Sequence, residues 1–578
     1  MQLPVYRVAA TTRLADQVEE FGQKLFGAGR GEVRERGLLA AWTGPGVAID
    51  VDTARGGYFA ADRTRLWRPD LATTRVRLPS EEEARGSGQR LLTETGALPV
   101  LRAPFRFTRP RIGGTVTAVQ RRDQSRRELV RNDVRYGVDV ELDLSAYGVG
   151  TVPLVGGGGR FSLTFGEAGR VIGSHGVWRS PTKEAVLMDV IPEEETDERF
   201  RALTSGIRVR DFRSRLAYYS APSFVEQEFL APVRVYFATI DVDGRAFPMR
   251  AVTLPACEVG PSLPRPVPQP PRGSPARPHV RPLPADLRLE PGGPVPLGVR
   301  MNTRALRDRG IDPATVLTAD PGRRGRLIVH PEISPAVLRD LPGLLGTYSA
   351  GTSWIGELGG LAGSQDNAQG FVDGLADAAW SIRFNWGNAN AWETDWRKND
   401  DDWVDAVDFV FYTGHAGADG WMLVEPEDSS LVYAETAGAP DLWGEKNLDW
   451  LVIAACGPLQ DDAVRAGGGN AVDRWKTAFD GLHLLMGYAE VTYDNTEEGR
   501  RLVQYARAGD TLMSAWFRTA QEIQPSKVYE PDGPIIYAST MWVGGTAGST
   551  AGDHLWGYGD VGPDLPEPLY WACTWSGC

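Results

Sequence analysis

Two short runs carry residues that could do covalent chemistry. Phe409-Val410-Phe411-Tyr412-Thr413-Gly414-His415-Ala416-Gly417 is followed, about forty residues on, by Leu451-Val452-Ile453-Ala454-Ala455-Cys456-Gly457-Pro458. Each is apolar, β-branched or aromatic and ends in small residues around one reactive side chain, as a fully buried parallel strand does. The carboxyl-terminal tips of such strands are where an open α/β sheet presents its chemistry. Two neighbouring tips would bring the His415 imidazole near the Cys456 thiol, the minimum for a cysteine nucleophile with a histidine base. Taken singly, a cysteine in Ala-Ala-Cys-Gly is usually a small core residue and a histidine after Thr-Gly a turn residue. It is the pair, in this order and at these strand ends, that points to catalysis.

The neighbouring residues add candidates of lower specificity. Asp419, Asp461, Asp462 and Asp494 lie near the two tips and could line a pocket for an arginine or lysine side chain. As single solvated loop carboxylates they would do nothing of the kind. Trp386, Trp392, Trp396, Trp403 and Trp421 are dense enough to wall a peptide cleft, although burial against the sheet is their ordinary use. His483, inside Leu482-His483-Leu484-Leu485, reads as a core histidine. No Cys-x-x-Cys or His-x-x-x-His spacing is present, so no metal site is expected, and the dyad chemistry needs no cofactor.

The elements that must position these residues fall into two regimes. Residues 258–297 are proline-dense, from Pro261-Ser262-Leu263-Pro264 to Gly293-Pro294, and read as an extended linker open to proteolysis. Before it, helical spacing alternates with two-residue alternation, predicting an α+β region of two modules, 1–110 and 111–257. After a connecting segment at 298–340, residues 341–578 alternate strand candidates (346–349, 381–386, 407–413, 450–455, 482–488, 535–542) with helix candidates (367–380, 470–480, 497–521). That rhythm predicts an α/β domain with a doubly wound, mostly parallel sheet.

The two strand-tip motifs resemble the caspase, gingipain and legumain superfamily of cysteine peptidases, in which one apolar strand ends in His-Gly and the next in Ala-Cys. The block Gly360-Leu361-Ala362-Gly363-Ser364-Gln365-Asp366-Asn367, with Trp386-Gly387-Asn388-Ala389-Asn390-Ala391-Trp392, looks like an uncharacterised bacterial family with such a domain. The segment Gly157-Gly158-Gly159-Arg160-Phe161-Ser162-Leu163-Thr164-Phe165 through Gly173 resembles bacterial propeptide modules with a cystatin-like fold. The likeness implies acyl transfer by Cys456 with His415 managing the proton, and an oxyanion hole from the N–H groups of Cys456 and of Ala416 or Gly417. One departure stands out: Ala416 occupies the place where that superfamily has glycine. If the site needs φ > 0 there, alanine would be strained.

Composition bounds these readings. With 578 residues, 42% hydrophobic and 24% charged, the chain reads as a multidomain globular protein. No apolar run is long enough to cross a membrane as a helix. The formal charge of -13 is concentrated after about Ser349, which argues against a nucleic-acid partner and favours docking by the arginine-rich N-terminal region. Of four cysteines, Cys573 and Cys578 could close a small loop in an oxidising compartment. The start reads as cytoplasmic, or as exported with its leader removed. The expected function is therefore a cysteine endopeptidase acting on peptide or protein, with the N-terminal region as a covering propeptide. The alternatives are an inactive relative used as a binding module, and a peptide ligase or self-processing enzyme with the same dyad.

Overall fold

The computed structural model describes the chain except for residues 10–14, 28–30, 37–38, 45, 53–54, 70–75, 271, 273–282, 284–286, 297, 302–305, 307–308, 313–314, 320–326, 425–429, 433–442 and 530–532. Much of the proline-rich linker, His279 included, thus lies outside the described residues.

The chemistry-bearing strands lie in a ten-stranded sheet. Five strands run parallel, in the order Ser381–Gly387, Ser349–Trp354, Phe409–Thr413, Trp450–Ala454 and Leu484–Tyr488. The sheet then turns antiparallel through Tyr537–Gly545, Tyr570–Gly577, Thr115–Arg121 and Arg127–Arg131. The runs around His415 and Cys456 are apolar throughout because both sheet faces are covered. Phe409 and Phe411 point to the face holding the helices Ser364–Ala376, Glu498–Arg507 and Leu512–Ile523, and Val410 and Tyr412 to the other. That second face is packed by a tryptophan cluster, with Trp396, Trp421, Trp443 and Trp475 in edge-on or stacked contact.

The expected fold class is overturned. Strands take 38% of the described residues and helices 21%, and the large sheets are mixed or antiparallel, so this is not a caspase-like doubly wound parallel sheet. The picture of two cystatin-like modules gives way as well. A fourteen-stranded, largely antiparallel sheet runs unbroken from Arg245–Pro248 to Glu32–Arg36, with residues from both sides of position 110. The hairpin at 115–131, read as part of an N-terminal module, instead completes the ten-stranded sheet by pairing with Tyr570–Gly577. Local alternation marks a strand but not the edge it joins, since strand pairing is a long-range choice. The helix expected over 497–521 is two helices, broken at Gly509, which has φ +88°.

Two clamps hold the N-terminal region to this sheet. The Arg127 guanidinium pairs with the Asp461 carboxylate, which also accepts the N–H groups of Ala463 and Ala471. Arg272, in the proline-rich stretch, is buried against Asp395 at 3.0 Å and lies over the rings of Trp386, Trp392 and Trp403 at 4.2–4.7 Å. Three of the tryptophans considered for a peptide cleft thus box an arginine of the same chain. Cys573 and Cys578 are both free. They lie along and just beyond one extended strand, roughly 16 Å apart by strand rise, too far for a disulfide.

Candidate functional site

His415 and Cys456 stand at matched positions. Thr413 pairs in register with Ala454, so each reactive residue lies two places beyond its strand's last ladder partner. The tips also approach one another: a Cβ on Gly457 would come within 3.9 Å of the Gly417 Cα. Gly457 has φ +68°, a conformation that favours glycine directly after the thiol.

The imidazole is held at both nitrogens. Nε2 lies 2.7 Å from the Gly359 carbonyl oxygen, and Nδ1 accepts the Arg250 backbone N–H at 3.3 Å. This pair of contacts sets the tautomer, with the proton on Nε2 and the lone pair of Nδ1 turned toward residue 250. Gly359 is needed for the close approach, since a Cβ there would stand 3.1 Å from Nε2. The thiol sulfur accepts the Thr492 backbone N–H at 3.4 Å. Both groups are fully buried. Burial takes the imidazole down to about 4, the Gly359 carbonyl opposing and the Arg250 charge assisting. Burial likewise pushes the thiol up to about 11, against the Thr492 N–H and Arg250. Both groups are therefore held in their neutral forms.

What covers it is a piece of the N-terminal region. The run Phe247-Pro248-Met249-Arg250-Ala251-Val252-Thr253 passes over the carboxyl ends of the dyad strands. Phe247 and Pro248 lie against Gly417, and Ala251 pairs with the chain at Tyr493 by donating to the Thr492 carbonyl (2.7 Å) and accepting from the Asp494 N–H (2.9 Å). The Arg250 side chain enters the sheet end and is fully buried. Nη1 donates to Thr413 Oγ1 (2.9 Å) and the Ala454 carbonyl (2.8 Å); Nη2 donates to the Tyr493 carbonyl (2.8 Å) and Glu498 Oε2 (3.0 Å). Glu498, also fully buried, takes three further donors from Asn367, Tyr488 and Gln524. Asn367 in turn donates to Thr413 and accepts the Gly499 N–H, tying this carboxylate to the dyad strand.

The four aspartates considered for substrate binding separate. Asp494 alone adjoins the Arg250 charge; burial raises it to about 6, while Arg250 and the Gly363 N–H pull the other way. Asp461 is committed to Arg127, Asp462 braces the turn at Gly467 and Gly469, and Asp419 is exposed at a hairpin tip. The residues that build the pocket, Arg250, Glu498, Asn367 and Tyr493, were not picked out from sequence. One signal was there: Arg250 is the single cation in an apolar run from Phe247 to Leu254.

Ala416 is unstrained, since its φ is not among the positive ones. Met422 donates to the His415 carbonyl at 2.9 Å, making that the hydrogen-bonded pair of the small hairpin. The Ala416 N–H is therefore directed away from its hairpin partner.

His483 lies at the opposite, amino-terminal end of the parallel strands. Its Nδ1 meets Asp553 at 2.7 Å and its Nε2 meets Asp564 at 3.3 Å, with Asp449 beside them. Asp449, His483 and Asp564 are spaced as a metal-binding set would be. Burial disfavours the charged ring, but the carboxylates, Asp553 foremost, outweigh it and hold His483 well above its ordinary range, while burial raises Asp449 to about 8.

Residues 349–576 match the family model of a domain of unknown function, DUF6345. This stretch contains His415, Cys456 and Glu498; Arg250 lies outside it. Among solved structures, the chain is similar to an uncharacterized protein from Eubacterium rectale ATCC 33656. There the identity is 12%, the TM-score 0.25, and the match covers 45% of this chain and 85% of that one. No curated protein matches the chain.

Proposed function

We propose that this protein is a cysteine peptidase whose His415–Cys456 dyad rests in a closed state. The observation that carries the reading is the register-matched placement of the two residues on adjacent strand tips, with the imidazole oriented by Gly359 at Nε2 and its Nδ1 engaged, among the described residues, only by the covering segment's Arg250 N–H. In the open form, the Cys456 thiolate attacks the carbonyl carbon of a peptide bond. The carbon–nitrogen bond breaks, His415 gives its proton to the leaving amine, and water hydrolyses the thioester to a carboxylic acid and the thiol. The N–H groups of Cys456 and Ala416 are the candidates to hold the oxyanion. These steps require no cofactor.

A variant that loosens the cover tests this. Ala251→Pro removes the N–H given to Thr492 and alters neither dyad residue. In the wild-type protein, iodoacetamide will label Cys456 slowly at pH 7, because the thiol is buried and protonated. In Ala251→Pro, exposure lowers the thiol toward its usual range, so labelling accelerates and peptide hydrolysis appears. Fast labelling without hydrolysis of a mixed peptide library would reject the peptidase reading and favour a binding module, which the complete burial of the dyad also fits.

Ala416→Gly separates the residue that the caspase, gingipain and legumain superfamily has after its histidine from what this backbone needs. Because residue 416 is already in ordinary extended backbone, glycine will leave turnover within about twofold while lowering stability by about 1 kcal/mol. Turnover of the opened protein and a thermal melt read the two effects.

A further inference from the structure

Resting on the peptidase reading, we propose that the pocket filled by Arg250 is the primary specificity pocket. It takes the arginine side chain of a peptide substrate, and residues Phe247–Thr253 hold it shut as a built-in substrate mimic.

The pocket is built for a guanidinium. Its acceptors are divided between the two terminal nitrogens, two to each, and include one carboxylate and two backbone carbonyls. A planar fork meets all four together; an ammonium on a shorter reach meets fewer. Two of these acceptors belong to the dyad strands themselves, Thr413 and Ala454, each two residues before a reactive side chain. An arginine seated here therefore has its backbone at the dyad, as the Arg250 N–H to His415 contact shows directly. The covering segment also adds its backbone to Thr492 and Asp494, the way an extended peptide is captured at a strand edge. An open groove beside it, lined by Thr253, Gly363, Asp494, Asn495, Glu497 and Gln524, continues the path for further residues of a substrate.

The same contacts hold the segment in a geometry that does not favour its own cleavage. The leaving group of the Arg250–Ala251 bond would be the Ala251 nitrogen, yet its N–H goes to the Thr492 carbonyl. His415 is engaged instead by the Arg250 N–H, the amide one residue before the leaving nitrogen. The base faces the wrong amide, so no proton reaches the leaving amine.

The test empties the pocket and offers it small guanidines. Arg250→Ala in the full chain should be stabilised in a thermal melt by agmatine, and much less by cadaverine, whereas the wild-type protein should respond to neither. Arg250→Ala should also hydrolyse peptides with arginine at the cleavage position at least about 100-fold faster than those with citrulline or lysine. If Arg250→Ala does not fold unaided, recovery in agmatine but not cadaverine reads the same selectivity, and Arg250→Lys supplies a second variant that keeps the charge opposite Glu498. Hydrolysis without arginine preference would overturn the pocket assignment and leave the peptidase reading standing. Selective agmatine stabilisation with no hydrolysis of any peptide would overturn the peptidase reading and retain a guanidinium site. Indifference to agmatine, with neither labelling nor hydrolysis, would overturn both.

Discussion

In the Ala251→Pro protein, Cys456→Ala and His415→Ala will each lower kcat by roughly 10⁴- to 10⁶-fold, and the double variant will fall no further. Residues that act as one unit lose nearly everything when either is removed, so non-additivity is the informative outcome. A merely structural pair would show stability losses and similar residual rates. Cys257→Ala is the control, because Cys257 packs with Val5 and Ala231, in a core cluster separate from the one holding His415's neighbours. The pH behaviour follows the same geometry. In the closed protein, burial keeps the imidazole down to about 4 and the thiol up to about 11, so proton transfer from sulfur to nitrogen is uphill. Opening restores water to both groups, raising the imidazole and lowering the thiol. Titration of the His415 ring by NMR should therefore give a midpoint near 4 in the wild type and a higher one in Ala251→Pro; equal midpoints would show that the cover does not control the dyad.

Glu498→Gln will lower stability by about 3–5 kcal/mol, the cost of breaking a buried ion pair from one side. The Arg250–Glu498 pair is fully enclosed at 3.0 Å, and the carboxylate accepts four donors in all. Glutamine presents an NH₂ to two of those donors and leaves the guanidinium without a counter-charge beyond Asp494. The urea midpoint should drop with little change of slope. Covering His415 and Cys456 is thus coupled to folding, because the covering segment brings a charge that Glu498 pairs directly and Asp494 supports from nearby. An Arg250→Met, Glu498→Leu double variant should regain much of the loss, since an apolar pair of similar volume removes the uncompensated charge. The same double variant should stay closed to iodoacetamide if packing alone suffices to cover Cys456.

Local reading reached the parts of the site that local pattern encodes. Phe409–Thr413 and Trp450–Ala454 were legible as buried strands because both faces are covered, which leaves a continuous apolar run. The placement of His415 and Cys456 at strand ends was legible because each such run ends in one polar side chain among small ones. The strand Tyr570–Gly577 was missed: its Trp-Ala-Cys-Thr-Trp run was read for its cysteines, and only pairing with Tyr537–Gly545 and Thr115–Arg121 shows its place. Asp461 was read as a pocket residue from its distance in sequence to Cys456, but Arg127, more than three hundred residues away, claims it.

By itself, the sequence determined the two buried apolar strands, Phe409–Thr413 and Trp450–Ala454, and the order of His415 and Cys456 just beyond their ends. Tertiary structure alone decided that the sheet is mixed and is finished by an N-terminal hairpin, because strand pairing is chosen among distant edges. It alone decided that Arg250 fills the site, because one buried cation finds its carboxylate, Glu498, only when segments 248 residues apart are folded together.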